Sequence, residues 1–193
     1  RQVAEAYISG LEDLSKSGGD VGRVASVASF FVSRVDTAVD ALLEEGVRGG
    51  RDDLKDLLGK AAIAIAKLAY RDFRAMFGDG RFSSLREKGA RVQRPLWAST
   101  GTKNPAYSDV VYLESLVGED TVNTVPPATL TAFVDHGQAA ATLDQGADQA
   151  QGVVNALAGA GISMERVTAK LLVDGLDGFT SSFKKLMANI EDK

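Results

Sequence analysis

Residues 24–32, VASVASFFV, form an unbroken run of small and apolar side chains, and Ser33, Arg34 and Asp36 follow at once. Few settings accept such a run. A strand with one wet face alternates apolar and polar residues, whereas a strand in a parallel sheet has helices on both faces and becomes continuously apolar or small. Two more short apolar segments follow, VQRPLWAS at 92–99 and TVNTV at 121–125. Pro95 fits the second strand only as its first residue, because proline gives no hydrogen to a sheet ladder.

The segments between these strands have helical spacing. Val3, Ala6, Tyr7, Leu11 and Leu14 recur at three and four over 2–16, and KSGGD (16–20) then breaks the chain. A short helix is expected over 37–46, ended by Gly46. A longer one opens at GGRDD (49–53), carries a stripe of Leu54, Leu58, Ile65, Leu68 and Phe73, and stops before Gly78. Further helices are expected over 108–118 and 128–136, and from Asp144 onward everything reads helical. Strands alternating with helices mean β/α units on a parallel sheet, where binding sites lie beyond the carboxyl ends of the strands. Arg34 is expected at such an end.

Composition removes several functions. The chain has 193 residues, enough for one domain. Its net charge of −4 argues against a nucleic-acid binder, which shows a basic face. It has no cysteine, so thiolate chemistry is excluded and a reducing, cytoplasmic setting fits. With one histidine, a protein-only zinc site is not expected. No apolar run nears the roughly 20 residues of a membrane helix, and a signal peptide is not expected from the opening residues. Arg1 is not an initiator methionine, so the chain is expected to begin after the translation start, and Lys193 is expected to be a natural end.

Three strands leave two architectures open: a small open sheet with many helices, or the last part of a closed (β/α)8 barrel, which has eight strands and typically about 250 residues. SVASFFVSRVD (26–36), RPLWASTGTKNPAYSD (94–109) and DTVNTVPPATLTAFVDHG (120–137) resemble, in order and spacing, the sixth, seventh and eighth strand regions of transaldolase. The pattern is closest to the actinobacterial and cyanobacterial branch, and GISMERVTAKLLVDGLDGFTSSFKKL resembles the C-terminal helices of that branch. The resemblance implies an α/β TIM barrel of which this chain supplies about the last three strands and the C-terminal helices. Residues 1–193 are then part of one barrel domain, with 1–162 as the last β/α units and 163–193 as the C-terminal helices. It also implies a pentose phosphate pathway enzyme that transfers a dihydroxyacetone unit from a ketose phosphate to an aldose phosphate. The family uses a lysine Schiff base on its fourth strand and needs no metal or organic cofactor. That lysine and the acid/base carboxylates are expected upstream of Arg1, so no catalytic residue is expected in this segment. The expected partners are sugar phosphates and the missing N-terminal half of the barrel, with neither nucleic acid nor a membrane. Such a half-barrel is expected to aggregate alone or to need the other strands for cooperative folding.

By the resemblance, Ser29 and Phe31 line the substrate cavity, and Arg34, Ser99 and Lys103 bind phosphate. Alternation along the strand puts Val27, Ser29 and Phe31 on one face and Ala28 and Phe30 on the other. From periodicity alone Ser29 and Phe31 serve equally well as packing. The fork of Arg34 suits a phosphate oxygen pair, and its alternative is a surface salt bridge to Asp36 or Asp40. Many transaldolases have Ser-x-Arg after the seventh strand; here Ser99 lacks that arginine, and Lys103 is the nearest cation, with a solvated loop lysine as its alternative. Lys103 lies in a polar loop and is not assigned as the imine lysine, which needs a depressed pKa. His136 is read as a helix cap, and Asn123 and Thr124 as substrate contacts at the end of the third strand. Two other readings stay open: a non-catalytic half-barrel binding module, and a related class I sugar-phosphate aldolase or an isomerase fusion.

Overall fold

Three parallel strands lie side by side in chain order: β1 (Ser26–Phe31), β2 (Gln93–Ala98) and β3 (Val122–Asn123). The computed structural model describes residues 1–78 and 80–191. Register runs from Ser26 opposite Gln93 to Phe31 opposite Ala98, and Leu96 pairs with Val122. Parallel neighbours need a long crossover connection, and helices supply it here. Before β1 comes α1 (Gln2–Lys16). Helices α2 (Val32–Arg48), α3 (Ala61–Phe77) and α4 (Ser83–Glu87) separate β1 from β2, and α5 (Val111–Ser115) separates β2 from β3. The chain ends in α6 (Pro127–His136), α7 (Ala147–Gly159) and α8 (Met164–Glu191). This is an α/β architecture built on a parallel sheet.

The helix layer covers one face of the sheet. Gln93, Pro95 and Trp97 of β2 are buried there, and the Trp97 ring lies 5.3 Å from that of Phe30. The opposite face is open: Val27 and Phe31 are 41% and 39% exposed, and Arg94 is exposed beside Val27. The alternation expected for β1 is therefore present. A second core lies outside the sheet, where Val39 and Leu43 of α2 meet Leu54, Leu157, Ile162 and Val167. Only the first turns of α8 join it. From Leu172 to Ile190 the helix carries large apolar side chains into solvent.

Several boundaries differ from the sequence reading: the helix expected over 108–118 is only α5 (Val111–Ser115), and the strand segment 121–125 is only Val122–Asn123. Helix α2 begins at Val32, directly after β1, so Arg34 lies in its first turn and not on a strand end; Gly46 is passed without a break. The expected long helix from 54 is two elements, a 3-10 segment at Asp52–Leu57 and then α3, parted at Gly59. Pro95 sits third in β2, not first. It is tolerated because the Trp97 carbonyl faces β3, accepting from Thr124 N–H, and alternation puts the Pro95 nitrogen on that same side, where β3 has not yet begun.

Leu157 is wholly buried between α7 and the second core. Leu157→Ala is expected to cost about 2–5 kcal/mol, measured by denaturant unfolding followed by circular dichroism. A loss under 1 kcal/mol (about the cost of a surface change) would show that α7 is not part of the cooperative unit.

Candidate functional site

The carboxyl ends of the three strands are tied together by short bonds. Ser33 N–H, in the first turn of α2, donates to the Ser99 carbonyl at 3.0 Å. That bond closes β1 against β2 just past their last paired residues. Ser99 has φ of 54°, in the left-handed region that non-glycine residues enter at a cost of order 1 kcal/mol or more. Thr100 is completely buried, and its hydroxyl donates to the Asn123 side-chain oxygen at 2.8 Å. Thr124 N–H donates to the Trp97 carbonyl at 3.0 Å. Gly101 follows where the chain passes closely over α6: a β-carbon there would meet Pro126 Cγ at 3.3 Å and Thr129 Oγ1 at 3.4 Å.

Arg34 is exposed, and its guanidinium carbon stands 4.6 Å from the centre of the Phe31 ring. Stacking holds the planar fork while leaving its N–H edges for an anion. The salt-bridge alternative does not hold: among the described residues Arg34 makes no ion pair, and Asp36 and Asp40 are engaged elsewhere. Ser33 Oγ, one residue away, is buried without a hydrogen-bond partner among the described residues.

Two carboxylates fix the loop after β2. Asp36 accepts from Ala62 N–H at 2.7 Å and from the Tyr112 hydroxyl at 2.7 Å. One turn later Asp40 accepts from Gly59 N–H at 2.9 Å and from the Tyr107 hydroxyl at 2.9 Å. Each carboxylate thus joins α2 to the amino end of α3 and to the segment 99–112. Gly59 makes this possible. Its φ is +69°, and the Tyr107 ring lies where a β-carbon would stand, with ring carbons at 2.8–3.1 Å. Burial raises the pKa of both carboxyls, against the opposing effect of their hydrogen bonds. Burial, reinforced by the aspartates, pushes both tyrosine hydroxyls well up. Sequence reasoning missed this pair of clamps. The available signal was an i, i+4 pair of aspartates on a helix whose apolar residues face a core.

Ser29, Phe31 and Arg34 border one cavity of about 410 Å³ between β1, α3 and α8. Its lining is mostly apolar, with Val32, Ile65, Leu172 and Phe179 among the wall residues. Lys103 is exposed and borders a different cleft of about 290 Å³ with Thr37, Asp40, Glu44 and Tyr107. The structure thus brings Arg34 close to Ser99 through Ser33 but does not bring Lys103 to Arg34. The cause is helical geometry. Asp36 and Asp40 lie roughly 160° and 120° around α2 from Arg34 at about 100° per residue, and Tyr107 draws the Lys103 loop to that side. Asn123 and Thr124 are spent holding β2 and β3 together. His136 ends α6 between Asp109 (2.9 Å) and Asp135 (3.1 Å).

A profile of the family described as Transaldolase/Fructose-6-phosphate aldolase matches residues 1–190. The chain belongs to this family. It is 46% identical to a transaldolase of Saccharopolyspora erythraea, over 100% of this chain and 52% of that protein. It is 47% identical to one of Neisseria meningitidis serogroup C over 95% of this chain and 49% of that protein, and 46% identical to transaldolase 2 of Nostoc punctiforme over 99% and 52%. The chain thus spans about half the length of the curated relatives it matches, and the actinobacterial and cyanobacterial likeness is shared with Neisseria.

Two titrations test this geometry. The two carboxylates beside His136 raise its pKa through their hydrogen bonds. Its imidazole, the chain's single one, is expected to titrate by NMR above the ordinary value of about 6.5, and Asp109→Asn is expected to bring it down. A value at or below the ordinary one would discard these contacts. Tyr107 and Tyr112 keep protons that the unfolded chain releases near pH 10. The folded state then binds more protons above that pH, so the stability held below it is lost as pH rises further. Tyr112→Phe is expected to flatten this alkaline loss, measured as unfolding free energy against pH; an unchanged slope would contradict the clamp.

Proposed function

We propose that this chain supplies the last three strands and the C-terminal helices of a (β/α)8 barrel, and that the complete barrel is a transaldolase of the pentose phosphate pathway. A lysine on strands outside these 193 residues forms an imine with the ketose, and the imine takes up the electrons when the carbon–carbon bond breaks. The dihydroxyacetone unit then passes to an aldose phosphate. The observation that carries this reading is the juncture of β1 and β2. Ser33 N–H bonds Ser99, and Arg34 stands beside it, stacked and unpaired among the described residues, at the carboxyl end of a parallel sheet. Anion recognition suits that position, and family membership supplies the substrate class.

In this reading Arg34 and Ser99 bind the substrate phosphate, and Ser29 and Phe31 form the wall next to the imine. Lys103, which borders the separate cleft on the acidic face of α2, has the smaller share. The phosphate takes no part in bond cleavage, so its binding energy acts alike on ground state and transition state. In the assembled enzyme Arg34→Ala is therefore expected to raise KM for the phosphorylated ketose by about 2–4 kcal/mol of lost binding. Borohydride trapping of the imine persists at saturating substrate. Lys103→Ala is expected to act in the same direction more weakly. An unchanged KM for Arg34→Ala, or loss of trapping in Lys103→Ala, overturns the assignment.

A simple sugar-phosphate aldolase is the second reading, because the matching family is described by both activities. Ketose cleavage without an aldose acceptor would favour it; strict acceptor dependence favours the transferase.

A further inference from the structure

Buried polarity is concentrated where α2 meets the segment that follows β2. Six polar or charged side chains are buried among the described residues, and four of them, Ser33, Asp36, Asp40 and Thr100, lie at this juncture. Ser33, Asp36 and Asp40 are three and four residues apart, so they share one face of α2. Each holds a different point of the segment 99–112. Ser33 N–H holds its first residue through the Ser99 carbonyl at 3.0 Å, and Asp40 holds Tyr107 at 2.9 Å. Asp36 holds the far end through the Tyr112 hydroxyl at 2.7 Å. The Ser33 and Asp36 bonds together close a loop of chain, and Arg34 lies between its two attachment points on α2. Carboxylates are a costly means of attachment here. Neither pairs with a cation among the described residues, and burial raises both pKa values. Apolar side chains of similar size would join the same elements without that cost. What the hydrogen bonds add is a fixed distance and direction.

We propose that Asp36 and Tyr112 are positioning residues for the anion site: their bond, with the Ser33–Ser99 bond, sets the separation at which Arg34 and the Ser99 loop bind one phosphate together. The proposal rests on the phosphate reading above and adds two residues that touch no substrate. A single bond between Ser33 and Ser99 is a hinge, and a second attachment on the same face of α2 stops rotation about it. Asp36 also accepts from Ala62 N–H at 2.7 Å, so the closed loop is anchored to α3 and cannot drift with the segment. The Tyr112 hydroxyl has no other partner among the described residues, so removing it removes this attachment alone. A shift of about 1 Å in a binding group far from the chemistry is enough to weaken its action severely.

In the complete enzyme, Tyr112→Phe is expected to raise KM for the phosphorylated ketose about tenfold, the order expected when a hydrogen bond to a charged group is lost. Both kcat and borohydride trapping at saturating substrate stay near wild type. A purely structural role would instead lower the amount of active enzyme, and so kcat and trapping, with KM unmoved. Asp36→Ala is expected to raise KM at least as far, and adding Tyr112→Phe to it changes nothing more, because both sever one attachment. Asp36→Asn keeps an acceptor for Ala62 N–H and a donor for the tyrosine oxygen, and is expected to hold KM within about twofold of wild type. If Tyr112→Phe does not fold, Asp36→Asn with Tyr112→Phe, which buries no charge, is measured in its place with the same expectation. An unmoved KM in the folded variant, a loss confined to kcat, or additive effects in the Asp36→Ala/Tyr112→Phe pair would each overturn the inference. Binding of inorganic phosphate to the same variants, followed by calorimetry, separates this from the transaldolase reading. Weaker phosphate binding by Tyr112→Phe, in an enzyme that shows no transfer, leaves the positioning role standing and overturns that reading. Unchanged phosphate binding overturns the positioning role whatever the transfer activity.

Discussion

Two carboxylates one helical turn apart hold the working end of this chain in place. Asp36 and Asp40 each take one backbone N–H from the start of α3 and one tyrosine hydroxyl from the segment after β2. All four carboxylate oxygens are satisfied, so the burial is tolerable, yet burial still raises both pKa values. The ionised forms are therefore less comfortable here than in water. Such a pair contributes placement more than stability. It sets the distance between the helix that carries Arg34 and the loop that follows Ser99.

The placement has a directional result. The helix starts one residue after the strand, so its first turn sits directly over the strand ends. Ser33 can then reach Ser99 with its backbone, and Arg34 can lie back on Phe31. On the other side of the helix the same clamps gather Lys103 with acidic neighbours. Cation and helix face are thus sorted by a single geometric fact, the 3.6-residue turn.

Much of the fold was legible because short apolar runs mark strands, although helices cover only one face of this sheet and Val27 and Phe31 are exposed on the other. The three apolar segments became the three strands, and β1 alternates as expected. The start of α2 was not legible. Ser33, Arg34 and Asp36 look like loop chemistry, but they lie inside a helix: Arg34 stacks on Phe31, Asp36 forms the clamp, and Ser33 reaches Ser99 only with its backbone N–H. The break between the 3-10 segment and α3 was hidden too. The stripe from Leu54 onward reads as one helix, and only the packing of Tyr107 on Gly59 explains the interruption. Phe31 and Arg34 were both picked out, but their mutual contact depends on side-chain placement that periodicity does not encode. The same holds for Lys103, whose acidic neighbours on α2 lie about sixty positions earlier.

Pro95 bears on how the sheet assembles. A parallel ladder can in principle slip by two residues and keep every side chain on its proper face. If β3 slid two places toward the amino end of β2, one of its carbonyls would meet the proline nitrogen, which has no hydrogen to give. The missing donor makes that misalignment costly. Pro95 thereby favours the observed register of β3 through the absence of an atom.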